Sequence, residues 1–337
     1  MSYLGVIGSK AGAASELIKL MPPEAFGACS IELMAGGASV LFSKDPAKIN
    51  VANDLDPDLA LMHRAIQRDV DAVEAELRLL RDDDSMFEEA KRLRNSEEWD
   101  SIPEARRAAL VIYVHKMSVN SNQQALSSSS KTNSSFNPNL ALATYAKKLE
   151  RVQIRHYHYA KCLDVYLYRS PEVEAFVFAD PPYVIASKQL HYRFNFHPIE
   201  HIRFWHRMTR LSKDNSSKRN VKIMITYDDV PLIRALYRKQ DGWRIQSLSI
   251  GYNSAHDTTK SRSEIVITNY DPPHSSSPGD SDITSSDRAA VGATMDGVPF
   301  ADLTCCDQET IMLVQQGKQR GKCHTCGKNV SVKARHS

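Results

Sequence analysis

The chain has 337 residues, of which 42% are hydrophobic and 25% charged, and its formal net charge is +3. These values are typical of a globular protein with room for one large α/β domain and an accessory piece. The small net charge neither requires nor excludes a nucleic-acid partner. No apolar run of about 18 residues occurs and the first residues lack a signal-peptide pattern. We therefore expect no membrane association and a cytoplasmic location.

The N-terminal part contains a strand followed by a glycine turn. Residues 13–21 suggest a short helix, residues 28–33 predict a buried strand, and the turn 34–39 leads into a helix over 40–44. A strand, a glycine turn and a helix in this order form the front half of a nucleotide-binding unit, because small residues let a ligand approach the backbone. A glycine pair alone is also common in tight connections.

The next predicted strand, residues 49–52, ends in Asn53-Asp54-Leu55-Asp56. An acidic side chain at the tip of a second strand can bind two ribose hydroxyls. Either acid could instead cap the helix that we predict from Pro57. Asp56 fits the cap better, so we predict Asp54 as the ribose ligand.

Residues 57–149 have a helical and highly charged pattern, and most of the charges are expected on solvated helix faces. Within this region, residues 118–139 form a polar loop rich in Ser, Asn and Gln. Its composition suits a disordered loop or a segment that becomes ordered on DNA.

A buried strand predicted over 175–179 is followed at once by Asp180-Pro181-Pro182-Tyr183. The two prolines end the strand and fix a rigid turn at its carboxyl edge, where ligands bind in open α/β sheets. The Asp180 carboxylate and the Pro181 carbonyl could each accept one hydrogen of a nucleobase amine and free its lone pair for attack on a methyl group. Tyr183 could stack on the base. The alternative is a proline turn in which Asp180 is only a solvated cap.

The C-terminal half continues the α/β pattern, with strands predicted over 221–226, 243–250 and 264–269 and helices over 199–211 and 230–238. On the helix 199–211 we expect an apolar stripe in the core and His201 and His206 on the wet face. Two loops contain basic and aromatic residues suited to DNA phosphates, namely Lys188, Tyr192, Arg193, Lys260 and Arg262.

Four segments, taken together and in this order, resemble the D12 class of adenine-specific DNA methyltransferases, which includes the Dam-like enzymes. They are Gly8-Ser9-Lys10, the stretch 32–39 (Glu-Leu-Met-Ala-Gly-Gly-Ala-Ser), Asn53-Asp54, and Asp180-Pro181-Pro182-Tyr183. The resemblance covers residues 3–270. Each motif alone is unspecific, whereas their order and spacing together are strong evidence for the resemblance.

The resemblance implies methyl transfer from S-adenosyl-L-methionine to N6 of adenine in double-stranded DNA, with base flipping. It also implies a Rossmann-like catalytic domain, residues 1–56 and 150–270, with a helical target-recognition insertion at 57–149, acting as a monomer. Asp54 would bind the cofactor ribose, and Asp180 would border both cofactor and base. The methionine part would be held by Lys10, Glu32, Met34, Gly36, Gly37 and Ser39.

Leu33 and Met34 stand where the family usually has Pro and Phe, which leaves open a catalytically weak DNA-binding or regulatory protein. A methyltransferase acting on RNA adenine is a further alternative, against which the helical insertion argues.

The C-terminal part begins with residues 271–290, rich in Ser, Asp and Pro, which we interpret as a flexible linker. The basic tail 291–337 contains four of the six cysteines: Cys305, Cys306, Cys323 and Cys326. The second pair has the spacing of a zinc knuckle, whereas adjacent cysteines suit one metal poorly. The tail is therefore predicted either as a zinc site or as a loose segment with free thiols.

Overall fold

A computed structural model describes residues 10–81, 83–118, 140–168, 172–184, 194, 196–214, 219–248 and 264–273, together with the backbone of four short strands between 300 and 331. Seven strands form one sheet: β1 (Cys29–Glu32), β2 (Ile49–Asn53), β3 (Val152–Arg155), β4 (Val173–Ala179), β5 (Arg219–Asp228), β6 (Arg244–Leu248) and β7 (Glu264–Thr268).

The strand order in this sheet is β3-β2-β1-β4-β5-β7-β6. The first five are parallel, and β7 runs antiparallel to both β5 and β6. From β1 the chain moves outward to β2 and β3 and then returns to the other side with β4. The order therefore reverses between β1 and β4, and open α/β sheets bind ligands at the carboxyl edge of such a switch point.

Strand β4 is at the centre of the sheet, and its residues 175–179 are no more than 3% exposed. Alternate side chains point to opposite faces of a strand. Val177 packs with the cluster that contains Phe204 and Met208, whereas Phe176 packs with the cluster that contains Leu17. A strand covered on both faces is a continuous apolar run, which is why the sequence predicts it well.

The helices cover the sheet and fill the region between β2 and β3. Their bounds are α1 (Ala14–Lys19), α2 (Ser39–Ser43), α3 (Pro57–Arg68), α4 (Val70–Arg78), α5 (Asp84–Arg94), α6 (Glu104–Met117), α7 (Ala143–Leu149), α8 (Tyr159–Leu163), α9 (Pro198–Lys213) and α10 (Pro231–Leu236). Helix α8 continues into one π-helical turn, Asp164–Tyr168.

Helix α6 lies at the centre of the helical region. Its residues 108–114 are at most 1% exposed, which is the pattern of a helix buried on all sides. The hydrophobic cluster around it includes Leu77 of α4 and Phe87 of α5, and it continues to Ala52 of β2 and Ile154 of β3. The helical region and one end of the sheet therefore share a core.

One prediction for α9 is wrong. His201 was expected on the wet face, but it is 1% exposed and its Nδ1 lies 2.9 Å from the Tyr227 hydroxyl. The ring also packs edge-on against Phe196. Helical periodicity shows which side of α9 is most apolar but cannot show that a tyrosine of β5 offers His201 a buried partner.

The C-terminal strands pair as two antiparallel hairpins: β8 (Phe300–Cys305) with β9 (Gln308–Leu313), and β10 (Arg320–Lys322) with β11 (Asn329–Ser331). The side chains of the four tail cysteines lie outside the described residues. Elsewhere in the described part of the chain, no group of three or more His, Cys, Asp or Glu could hold a metal ion, so these residues give no support for zinc. Among these same residues, no helix is both long and apolar enough to cross a membrane.

Candidate active site

The turn after β1 is held by the end of β2. The Ala35 N–H donates to the Asn53 carbonyl at 2.8 Å, and the Gly36 N–H donates to Asp54 Oδ2 at 2.7 Å. Gly36 has φ of 51°, a left-handed conformation that glycine adopts without steric cost. Ala38 has φ of 52° and bears the strain of a non-glycine residue there, roughly 1–2 kcal/mol. We call residues 34–39 the cofactor turn from here on.

Asp54 and Asp56 have different contacts. Asp54 uses Oδ2 for Gly36 and Oδ1 for the Asp56 N–H at 2.9 Å, and it remains partly accessible. Desolvation of its carboxylate raises its pKa to about 6. Asp56 accepts from the Asp58 N–H at 2.9 Å as the N-cap of α3 and lies 3.5 Å from Arg94. Asp56 is therefore the helix cap, as its position predicts.

Glu32, the last residue of β1, is 6% exposed and supports the cofactor turn from beneath. Its Oε2 accepts from the Leu41 N–H at 2.8 Å, which satisfies a free donor at the start of α2. Burial raises the pKa of this carboxyl to about 8. In the structure Glu32 therefore contacts helix α2. Of the other predicted turn residues, Gly37 and Ser39 are buried and Met34 is half-buried against the core.

We expect Glu32→Gln to make the folded protein more stable in alkaline solution. Because the folded-state pKa is raised to about 8 from 4.5, the native state retains a proton that the unfolded chain releases. The stability of the wild type therefore falls as pH rises from 4.5 to 8, by roughly 1.4 kcal/mol for each unit of pKa difference. Gln cannot ionise and keeps an acceptor for Leu41.

Urea unfolding at pH 5 and pH 8 measures this effect, with the exposed Glu16→Gln as control. The stability gain of Glu32→Gln should grow between these pH values, whereas Glu16→Gln should show no such growth. A gain that is equal at both pH values would contradict the burial effect.

Asp180 follows β4, and both of its oxygens are bound by the protein. Oδ2 lies 2.8 Å from Lys10 Nζ, and Oδ1 accepts from the Thr226 hydroxyl at 2.6 Å. The Lys10 ammonium also lies 3.8 Å from Oε2 of Glu264, the first residue of β7. Lys10 is 5% exposed, so its charge is held between two carboxylates with little screening by solvent. Burial raises the pKa of Glu264.

The aromatic ring that follows this turn is held against β5. Tyr183 packs with its ring centroid 6.1 Å from that of Tyr227 and 4.8 Å from Lys10 Nζ. The Val184 N–H donates to Asp228 Oδ1 at 3.1 Å, which attaches the end of the turn to the end of β5. Asp180 and Tyr183 are therefore positioned by contacts to β5 as well as by the prolines between them.

The cofactor turn and the Asp180 turn lie at the same edge of the sheet. Glu32 of β1 pairs with Ala52 of β2 on one side and with Phe178 of β4 on the other. Asp54 lies two positions beyond Ala52, and Asp180 two beyond Phe178. Two strand spacings of about 4.8 Å separate β2 from β4, so the backbones at these positions are roughly 10 Å apart. A ligand bound over the end of β1 could contact both.

Sequence reasoning missed Thr226, Asp228 and Glu264. A partial signal exists for the first two, because Thr226 ends the predicted strand 221–226 and Asp228 lies two residues beyond it, at a carboxyl edge that adjoins that of β4. Glu264 has no such signal, since only the antiparallel direction of β7 brings its first residue to this edge. The predicted DNA contacts Lys188, Tyr192, Arg193, Lys260 and Arg262 lie outside the described residues.

The chain is a mixed α/β protein, and its mostly parallel seven-stranded sheet is consistent with a methyltransferase fold. The family model of the D12 class N6 adenine-specific DNA methyltransferases matches residues 7–249, and the chain belongs to this family. It is thus an enzyme that methylates adenine N6 at specific sites in DNA, with S-adenosyl-L-methionine as methyl donor. Comparison with curated proteins gives no match.

Proposed function

We propose that Asp180, Pro181 and Tyr183 bind and activate the target adenine and that the cofactor turn and Asp54 hold S-adenosyl-L-methionine. When bound, this cofactor supplies an electrophilic methyl group on its sulfonium. The Asp180 carboxylate and the Pro181 carbonyl each accept one hydrogen of the adenine amino group, which draws the N6 lone pair out of the ring. After transfer, one N6 proton leaves to water. Pro182 keeps the turn rigid.

The donor set around the cofactor turn fits the cofactor. Asp54 has acceptor capacity beyond its bonds to Gly36 and Asp56, because an ionised carboxylate has about four lone-pair sites. Ribose hydroxyls are donors that suit these sites. Gly36 has no side chain and is partly accessible, which lets a ligand lie close to its backbone. Glu32 is buried below the turn and contacts helix α2, and Ser39 is buried within the turn itself.

Lys10 was predicted to contact the methionine part of the cofactor, and its ammonium lies against Asp180. We propose that it lies at the boundary of the cofactor and adenine sites and pairs with the Asp180 carboxylate. Glu264 balances its charge from the other side. The Asp180 carboxylate thereby retains a negative potential for the positive charge that develops on N6 during transfer.

We propose that the helical region 57–149 reads the DNA sequence and that the target base is flipped out of the duplex. A base inside the stack cannot reach a carboxylate that is only partly exposed at the end of a strand, so it must leave the helix.

The observation that carries this proposal is the double anchoring of Asp180 by Lys10 and Thr226 at the switch point of the sheet. It is tested by expressing the protein in a bacterial host without adenine methylation and mapping modified adenines by sequencing. We expect N6-methyladenine within one sequence motif. A folded protein that leaves every adenine unmodified would refute the proposal.

In the same assay Tyr183→Phe should retain methylation and Tyr183→Ala should lose most of it. Phe keeps an aromatic face for the flipped base, whereas Ala removes a stacking contact of roughly 1–3 kcal/mol, which corresponds to a fall in kcat/KM for DNA of roughly 5- to 150-fold. Equal activity of the two variants would show that the base does not stack on Tyr183.

A further inference from the structure

His63 of α3 contacts the cofactor turn from outside the predicted site. It is 2% exposed, and its Nε2 lies 2.9 Å from the Gly36 carbonyl oxygen. A carbonyl only accepts hydrogen bonds, so Nε2 carries the hydrogen and donates it. Burial lowers the pKa of His63 to about 4, so the ring stays neutral and the contact is unchanged at ordinary pH.

This contact completes the anchoring of Gly36. The N–H of Gly36 donates to Asp54, and its C=O accepts from His63. The two peptide groups that flank the Gly36 Cα are therefore both held, one by the end of β2 and one by helix α3. Glycine loses more conformational freedom on folding than any other residue, so a left-handed glycine in a binding turn benefits most from such anchoring.

The His63 ring is itself held in place. Its centroid lies 6.1 Å from that of Phe42 in α2, the helix that follows the cofactor turn. Helix α3 is also the first helix of the region 57–149. A side chain of the proposed DNA-reading region thus fixes the backbone of the proposed cofactor site.

A second buried histidine in the same region shows that burial alone does not demand such a bond. His115 of α6 is 1% exposed, and neither of its ring nitrogens has a hydrogen-bond partner within the described part of the chain. His115 fills space in the helical core. His63 differs from His115 because it donates a hydrogen bond to Gly36, whose N–H is already bound by Asp54.

We propose that His63 is a positioning residue that holds the Gly36 carbonyl, and with it the cofactor turn, in the conformation that binds S-adenosyl-L-methionine. The inference rests on the proposed function in so far as the turn is the cofactor site. Its effect is on cofactor affinity and not on the chemical step, because His63 lies beneath the turn and contacts neither Asp180 nor Tyr183 in the contacts described above.

The test measures binding of S-adenosylhomocysteine, the demethylated cofactor, by calorimetry to the full-length protein and its variants. His63→Gln places an amide nitrogen near the position of Nε2, whereas His63→Asn is shorter and His63→Leu has no donor. We expect His63→Leu and His63→Asn to raise the Kd for S-adenosylhomocysteine roughly tenfold, as for loss of one buried hydrogen bond. Gln should stay within about threefold, and the control His115→Leu should leave Kd unchanged.

Steady-state kinetics give a second test, because a change in KM without a change in kcat is not expected from a purely structural role. In His63→Leu, KM for S-adenosyl-L-methionine should rise while kcat at saturation stays within about threefold. The inference fails if His63→Leu binds S-adenosylhomocysteine as tightly as the wild type does. It also fails if His63→Gln binds as weakly as His63→Leu. If His63→Leu does not fold, the Kd of His63→Gln is compared with that of His63→Asn instead. A wild-type protein without affinity for S-adenosylhomocysteine would instead refute the proposed function.

Discussion

Asp180→Asn is expected to lower kcat by roughly 10²–10³-fold, as for removal of one group placed to stabilise a transition state. The carboxylate accepts from Lys10 and Thr226 and still has lone pairs for the adenine amine. An amide replaces one of these acceptor oxygens with a donor, and this donor then faces either Lys10 or the Thr226 hydroxyl. Affinity for S-adenosylhomocysteine and for DNA should change by no more than a few-fold.

Transfer of a tritiated methyl group to DNA measures kcat, and a gel-shift titration measures DNA binding. Thr226→Val should give an intermediate loss of roughly tenfold, because it frees Asp180 Oδ1 without changing the charge. The surface variant Asp241→Asn, which loses a pair with Arg238, should match wild type. If Asp180→Asn keeps more than a tenth of the activity, the carboxylate is not the group that activates the amine.

Asp54→Asn is expected to weaken cofactor binding roughly 100-fold, the effect of losing hydrogen bonds to a charged group. The amide can accept from only one of its two backbone partners, so either Gly36 or Asp56 loses an acceptor. The ribose hydroxyls also lose a carboxylate. At saturating cofactor, kcat should change much less than KM does.

The pH dependence of binding has a definite sign. The pKa of Asp54 is raised to about 6 in the free protein, and hydroxyl donors favour its ionised form. Affinity for S-adenosylhomocysteine should therefore be constant above pH 7 and fall as pH decreases through 6. In Asp54→Asn this fall between pH 7 and 5 should be absent. Calorimetry at several pH values measures both effects.

Asp56→Asn is the matched comparison, because this acid caps α3 and lies near Arg94. It should lower the free energy of unfolding and leave cofactor affinity nearly unchanged. If instead Asp56→Asn abolishes cofactor binding and Asp54→Asn does not, the ribose ligand has been assigned to the wrong carboxylate.

Strand β4 was the clearest prediction because it contains a continuous apolar run that ends in a proline turn, whereas β3 (Val152–Arg155) and β6 (Arg244–Leu248) alternate apolar and polar residues. The run 175–179 became β4, Val173–Ala179, and the run 49–52 became β2, Ile49–Asn53. Of the predicted strand 243–250, residues Arg244–Leu248 form β6 and pair with β7, and residues 249–250 lie outside the described residues. Element type follows from local patterns, whereas the ends depend on which neighbour is available for pairing.

The site was predictable only where a local pattern has a chemical meaning. Asp54 and Asp180 each follow a strand directly, so their edge position could be inferred from parallel topology. His63 and Glu264 enter the site through contacts between residues far apart in sequence. A lone histidine within a helix, or a glutamate at the start of an edge strand, has no periodicity or spacing that distinguishes it from many others.

The burial of α6 bears on how specificity could be exchanged between relatives. Its hydrophobic cluster extends from α4 and α5 to Ala52 and Ile154 of the sheet. The described helices therefore cannot be removed without exposing apolar side chains of the sheet. A graft of these helices from another enzyme must bring the facing side of α3 with it. Without that face of α3, apolar side chains at this end of the recipient's sheet would be exposed to solvent.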